Sequence, residues 1–149
     1  MNGAGAEFRW PVRVYWEDTD AGGIVFYANY LKFLERARTE WLRSLGISQR
    51  VLREETGGMF VVSETSVRYL RPAKLDDELI VTARLQEAGR ASLIIAQRAL
   101  SAAQCQSDGL PLVLCEGTIR IGWVQSGAGV HDMRPARIPA SILQMLQAT

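Results

Sequence analysis

The spacing of hydrophobic and polar positions changes twice along the chain. Residues 12–18, Val-Arg-Val-Tyr-Trp-Glu-Asp, alternate with a period of two. This predicts a strand with Val12, Val14 and Trp16 on one face and Arg13, Tyr15 and Glu17 on the other. Residues 19–26 hold Gly22 and Gly23 and read as a loop. The period then lengthens: Tyr30, Leu34, Ala37, Trp41 and Leu45 recur at steps of three and four. Lys32, Glu35, Arg36, Arg38, Glu40 and Arg43 fill most positions between them, as on one amphipathic helix spanning residues 28–45. Gly46 follows, where a helix end favours glycine.

A weaker helix is expected over 48–55, ended by Gly57-Gly58. From Met59 the period returns to two, with strands at Met59–Leu70, Glu78–Ala88, Ala91–Gln104 and Leu112–Val124. Residues 125–137 read as a loop, and Pro139 opens a last short helix, Ala140–Gln147. Short turns between the later strands favour antiparallel pairing, and a single long helix needs one sheet face to cover its stripe. The expected object is α+β: a five-stranded antiparallel sheet curved around one long central helix. No repeat or linker interrupts the pattern, so residues 1–149 read as one domain, with the small and polar residues 1–9 frayed.

Composition narrows the possibilities. The 17 basic and 16 acidic residues leave a net charge of +1. No basic stripe interleaved with aromatics points to nucleic acid. The two cysteines, Cys105 and Cys115, are too few for a disulfide framework and lie in no short-spaced metal-ligand pair. They read as reduced thiols, with no metal site expected. The single histidine, His131, falls in the late loop and reads as solvated. Neither a signal peptide nor a run of about 18 apolar residues is seen, so the cytoplasm is the default location.

The densest chemistry lies at Tyr15-Trp16-Glu17-Asp18-Thr19-Asp20-Ala21-Gly22-Gly23-Ile24-Val25-Phe26-Tyr27. Carboxylates, a glycine pair and a helix start come together here. A helix N-terminus presents unpaired N–H groups and partial positive charge, suited to an oxyanion. A carboxylate on the loop before it can attack the same carbon or activate a water. The same pattern also reads as an acidic turn that merely caps a helix. From the residues alone both readings stand.

The run from Val14 through Asp20, Tyr27 and Glu35 to Leu42 resembles the YbgC-type acyl-CoA thioesterases, relatives of 4-hydroxybenzoyl-CoA thioesterase in the hotdog superfamily. So do Val67–Leu79, which contains Arg71-Pro72, and the tail Met133–Pro139. The resemblance spans roughly residues 8–146. It implies a hotdog fold, acyl-thioester hydrolysis, and Asp20 as nucleophile or general base. It also implies Tyr27 as the residue whose backbone N–H polarises the carbonyl. Several members carry His at that position, so a side-chain role does not transfer. Glu35 matches a position lining the acyl pocket, and Arg90 and Ser92 match one near the nucleotide. Arg68, Arg71, Lys74, Arg134 and Arg137 are looser candidates for the phosphates, and Asp18 is expected to bond loop amides or orient Asp20.

The resemblance requires no cofactor, since coenzyme A is part of the substrate. It implies a homodimer or a dimer of dimers with a shared site, Asp20 of one copy lying near Val61–Thr65 of the other. It also implies a link to the Tol-Pal envelope system, with acyl-carrier protein or envelope-complex proteins as further partners. Hydratase or dehydratase chemistry, which pairs a His with an acidic residue, finds only the isolated His131. A non-catalytic acyl-CoA or acyl-carrier-protein binding module is the competing class, and Asp20 speaks against it.

Overall fold

The structure, a computed structural model, describes residues 6–127 and 132–147. In chain order it contains β1 (Phe8–Arg13), α1 (Tyr30–Ser44), α2 (Gln49–Thr56), β2 (Gly58–Tyr69), β3 (Glu78–Ala88), β4 (Ser92–Cys105), β5 (Pro111–Ser126), β6 (Met133–Pro135) and α3 (Ala140–Gln147). Short 3-10 turns cover Trp16–Asp18 and Tyr27–Asn29. The sheet runs β1-β3-β4-β5-β2 with every pairing antiparallel, and β6 joins β5. The expected five long strands are present. The sixth, of three residues, lies within the stretch read as a loop.

The helix stripe forms as its period requires. Tyr30, Leu34, Ala37 and Trp41 are buried, joined by Phe33 and Leu42. Each large side chain so buried contributes about 1.5–3 kcal/mol. The facing layer alternates along the strands: Leu79, Val81, Ala83 and Leu85 of β3, Leu93, Ile95, Gln97 and Ala99 of β4, and Ile119, Ile121 and Trp123 of β5. Tyr30 also fixes the start of α1 laterally, because its hydroxyl accepts from the Ala73 N–H at 3.0 Å.

The first strand departs from expectation. It spans Phe8–Arg13 rather than 12–18, so Phe8 and Arg9 pair with Ala83 and Thr82 instead of fraying. Val12 and Val14 do face inward, but Trp16 is 79% exposed. The cause is local. The Tyr15 N–H donates to Asp18 Oδ2 at 2.8 Å, which curls residues 16–18 into a 3-10 turn and ends the alternation.

Candidate active site

The Asp20 loop is a small hairpin. Thr19 bridges Val25, and Ile24 bridges Lys74. The Asp20 N–H donates to Ile24 O at 2.9 Å, and the Gly23 N–H returns to Asp20 O at 3.0 Å. Gly22 N–H donates to Asp20 Oδ1 at 2.8 Å, so one carboxylate oxygen is held by its own turn. Oδ2 has no protein partner among the described residues. Gly23 sits at φ +79°, a conformation that closes the turn and that other residues rarely adopt.

Beneath this turn, Asp18 is almost fully buried. Its Oδ1 accepts from Asn29 Nδ2 at 2.7 Å and its Oδ2 from the Tyr15 N–H, while its backbone carbonyl accepts from the Phe26 N–H at 3.1 Å. The expectation that Asp18 bonds loop amides is met. Its partner Asn29 was not singled out from sequence. A polar residue just before an amphipathic stripe was the available signal, and it reads first as a cap.

Tyr27 opens the 3-10 turn that leads into α1, so its N–H is one the turn itself does not use. Its side chain is 62% exposed and rests against Phe26 and Tyr69 at ring separations of 4.8 and 5.9 Å. The Tyr69 phenol is pushed up from its ordinary value, chiefly by burial.

Glu35 lies two turns farther along α1. With Arg38, Thr39, Phe60 and Val62 it lines a cavity of about 210 Å³ between α1 and β2. Burial lowers the Arg38 guanidinium from its ordinary value, and nearby Glu35 partly opposes that effect. Arg38 donates to Gln97 Oε1 at 2.9 Å, and no carboxylate lies within 4 Å of it among the described residues.

Arg90 and Ser92 lie elsewhere. Arg90 is exposed in the turn between β3 and β4, where its carbonyl accepts from the Ile138 N–H at 2.8 Å. Ser92 begins β4, and its hydroxyl accepts from Arg120 at 3.3 Å. The Asp20 loop packs on residues 73–77 at the start of β3, whereas Arg90 follows its end. Eleven residues of strand separate them, about 35 Å along the strand. One chain therefore does not bring Arg90 and Ser92 to Asp20. The Ile138 contact does bring the tail that carries Arg134 and Arg137 to the Arg90 turn.

Of the looser candidates, Arg71 and Lys74 line a hollow of about 230 Å³ beside Asp77, close to the Asp20 loop. Arg68 lines the larger hollow of about 380 Å³ with Arg84, Ala96, Arg98 and Thr118. Those residues alternate with the inward-facing ones, so this hollow lies on the sheet's outer face and contains none of the catalytic candidates. His131 falls outside the described residues. Among the described residues no group of three or more His, Cys, Asp or Glu is placed to hold a metal ion.

A family model of the thioesterase-like superfamily matches residues 14–146. The chain belongs to that superfamily. It is 40% identical over 135 residues to the acyl-CoA thioesterase YbgC of Haemophilus influenzae, covering 91% of this chain and 90% of that one. It is also 40% identical over 137 residues to the acyl-CoA thioester hydrolase YbgC of Escherichia coli O157:H7, covering 91% and 92%. Among solved structures, the 4-hydroxybenzoyl CoA thioesterase of Pseudomonas sp. strain CBS-3 superposes with a TM-score of 0.83 at 18% identity, covering 95% and 99%. That likeness shows the fold alone, and the fold is the hotdog. Within the superfamily the chain falls in the YbgC group of thioester hydrolases.

Proposed function

We propose that this chain hydrolyses acyl-CoA thioesters, with Asp20 as the reacting carboxylate and the Tyr27 N–H as the oxyanion donor. The observation that carries the reading is the Asp20–Gly23 turn set just ahead of the helical N–H groups, with one Asp20 oxygen held by Gly22 and the other free. A thioester carbonyl resting on the Tyr27 N–H and the helix dipole would present its carbon to that free oxygen. Asp20 either attacks the carbon, giving a mixed anhydride that water opens, or takes a proton from a water that attacks. On both routes the C–S bond breaks and coenzyme A leaves as the thiolate. Neither route calls on a metal or redox group.

Three features support a shared site between two copies. β2 is an edge strand of the sheet. The apolar side chains Val62 and Tyr69 on it, and Phe26, Tyr27 and Leu31 beside the loop, are exposed. Asp20 and Arg90 lie at opposite ends of β3. Antiparallel pairing of β2 with the same strand of a second copy would cover the apolar patch and remove an open edge. It would also carry the second copy's Arg90 end toward the first copy's Asp20 end. Arg90 and Ser92 then serve the nucleotide of a substrate whose thioester lies at the other copy's Asp20, and Glu35 lines the acyl cavity. A dimer of dimers, a cytoplasmic location and contact with acyl-carrier protein or envelope-complex proteins belong to the same reading.

The test is turnover across a panel of acyl- and aroyl-CoAs by the wild type and Asp20→Asn. The variant should fold normally and lose kcat by roughly 10²–10⁴-fold, the range of a general acid–base group. Near-normal kcat would remove Asp20 from the mechanism. Tight acyl-CoA binding by the wild type with no turnover on any ester would favour the non-catalytic binding module instead.

A further inference from the structure

We infer that Asn29, through its hydrogen bond to Asp18, is a positioning residue that fixes the Asp20 carboxylate relative to the Tyr27 N–H. The inference rests on the hydrolytic reading of Asp20 given above.

Asparagine just before a helix normally turns its side chain onto the first N–H groups. Asn29 does not: its side chain makes no capping bond, and its Nδ2 donates to Asp18 Oδ1 at 2.7 Å. Asp18 is 4% exposed and Asn29 7%. No Lys or Arg lies within 4 Å of Asp18 among the described residues. Burying a carboxylate on neutral donors is costly, and an apolar pair of similar size would serve stability as well or better. The position of the pair accounts for its polarity. Asp20 lies two residues after Asp18, and Tyr27 two residues before Asn29. The Asp18 carbonyl also receives the Phe26 N–H at 3.1 Å, so the two sides of the loop are tied at adjacent points. The contact therefore joins the segment carrying the carboxylate to the segment carrying the oxyanion donor. Misplacing reacting groups by about 1 Å can cost on the order of 10²-fold in rate.

Substitution of the pair separates positioning from simple structural support. Asn29→Ala removes the tie and should lower kcat roughly tenfold or more with KM little changed, the pattern of an effect confined to the transition state. Asn29→Asp places two carboxyl groups at hydrogen-bond distance, where they can hold together only by sharing a proton. Relative to wild type, its kcat should be nearest normal at the acid end of the range in which the protein stays folded and fall roughly tenfold or more as pH rises and the shared proton leaves. The exchange Asp18→Asn with Asn29→Asp rebuilds the contact with its polarity reversed. The amide now at position 18 still accepts from the Tyr15 N–H, and it donates to the carboxylate now at position 29. The exchange should recover kcat to within about threefold and abolish the alkaline loss. Tertiary circular dichroism is followed at each pH.

The inference is overturned if Asn29→Ala and Asn29→Asp keep wild-type kcat and pH profile while Asp20→Asn is inactive. It is equally overturned if the Asn29→Asp loss coincides with loss of tertiary signal, or if the exchange fails to rescue a folded protein. An active Asp20→Asn would instead remove the hydrolytic reading on which the inference stands.

Discussion

Gln97 of β4 reaches across the core to α1: its Nε2 donates to the Leu34 carbonyl at 3.0 Å. The same nitrogen donates to the Thr82 carbonyl of β3 at 3.0 Å, and Oε1 accepts from Arg38. One buried amide thus fixes the helix over two strands and holds the Arg38 cation that lines the cavity between α1 and β2.

Gln97→Leu should therefore destabilise the fold despite being apolar and similar in size. It removes the amide donor from the Thr82 and Leu34 carbonyls and the acceptor from the part-buried Arg38 guanidinium, and a buried group left unsatisfied costs about 1–3 kcal/mol. The urea midpoint should fall with the slope unchanged. An unaltered midpoint would mean that water replaces the amide at no cost.

Gln97 also shows where sequence reasoning stops. It occupies an inward position of a strand whose alternation was plain, and only its polarity marked it as unusual. The helix stripe and the Asp20-Ala21-Gly22-Gly23 turn were legible because each is written in neighbouring residues. The pairing of Phe8–Arg13 with β3 was not, since partners some 65 to 75 residues away decide it. Strand β6 has only three residues, too few for a period to show. The separation of Arg90 from Asp20 is a property of topology, which a motif by itself does not contain.

Gly117→Ala should loosen the edge strand. A Cβ there would collide with the Ser66 carbonyl oxygen and lie 3.0 Å from Val67 Cα, both backbone atoms of β2. Because a backbone cannot rotate aside, β2 must shift off β5. Overpacking of this kind typically costs about 1–3 kcal/mol. Gly22→Ala, whose Cβ would meet only Asp20 Oδ1 at 3.2 Å, should leave the urea midpoint nearly unchanged while lowering kcat. Equal midpoints for the two variants would contradict the geometry.

The thiols should differ sharply. Cys105 is exposed and Cys115 is buried, and burial pushes the Cys115 thiol up to about 11. At pH 8, a disulfide reagent should titrate one thiol rapidly in the native protein and two after denaturation, because the thiolate is the reacting form. The folded state favours protonated Cys115, so its contribution to stability is full below the ordinary thiol value of 9.0 and is lost as pH rises toward about 11. Cys115→Ala should flatten that alkaline decline. Rapid native titration of both thiols would show that the β5 core opens readily.

The shared-site geometry makes a prediction that no single-chain site can meet. If each site takes Asp20 from one copy and Arg90 from the other, Asp20→Asn and Arg90→Ala damage complementary halves. Arg90→Ala alone should raise KM for full CoA esters with kcat nearly intact, and should not affect pantetheine thioesters that lack the nucleotide. Asp20→Asn alone should be inactive on both. When the two variants are unfolded together in equal amounts and refolded, random pairing makes half of the dimers mixed. Each mixed dimer then holds one site with native Asp20 and native Arg90, and one site damaged twice. About a quarter of all sites should regain the wild-type KM, giving roughly a quarter of wild-type kcat/KM at low substrate. Mixing without unfolding should give this gain only as fast as subunits exchange. If refolded mixtures show no more low-substrate activity than the sum of the separate variants, each copy must complete its own site, and the antiparallel β2 pairing loses its main support.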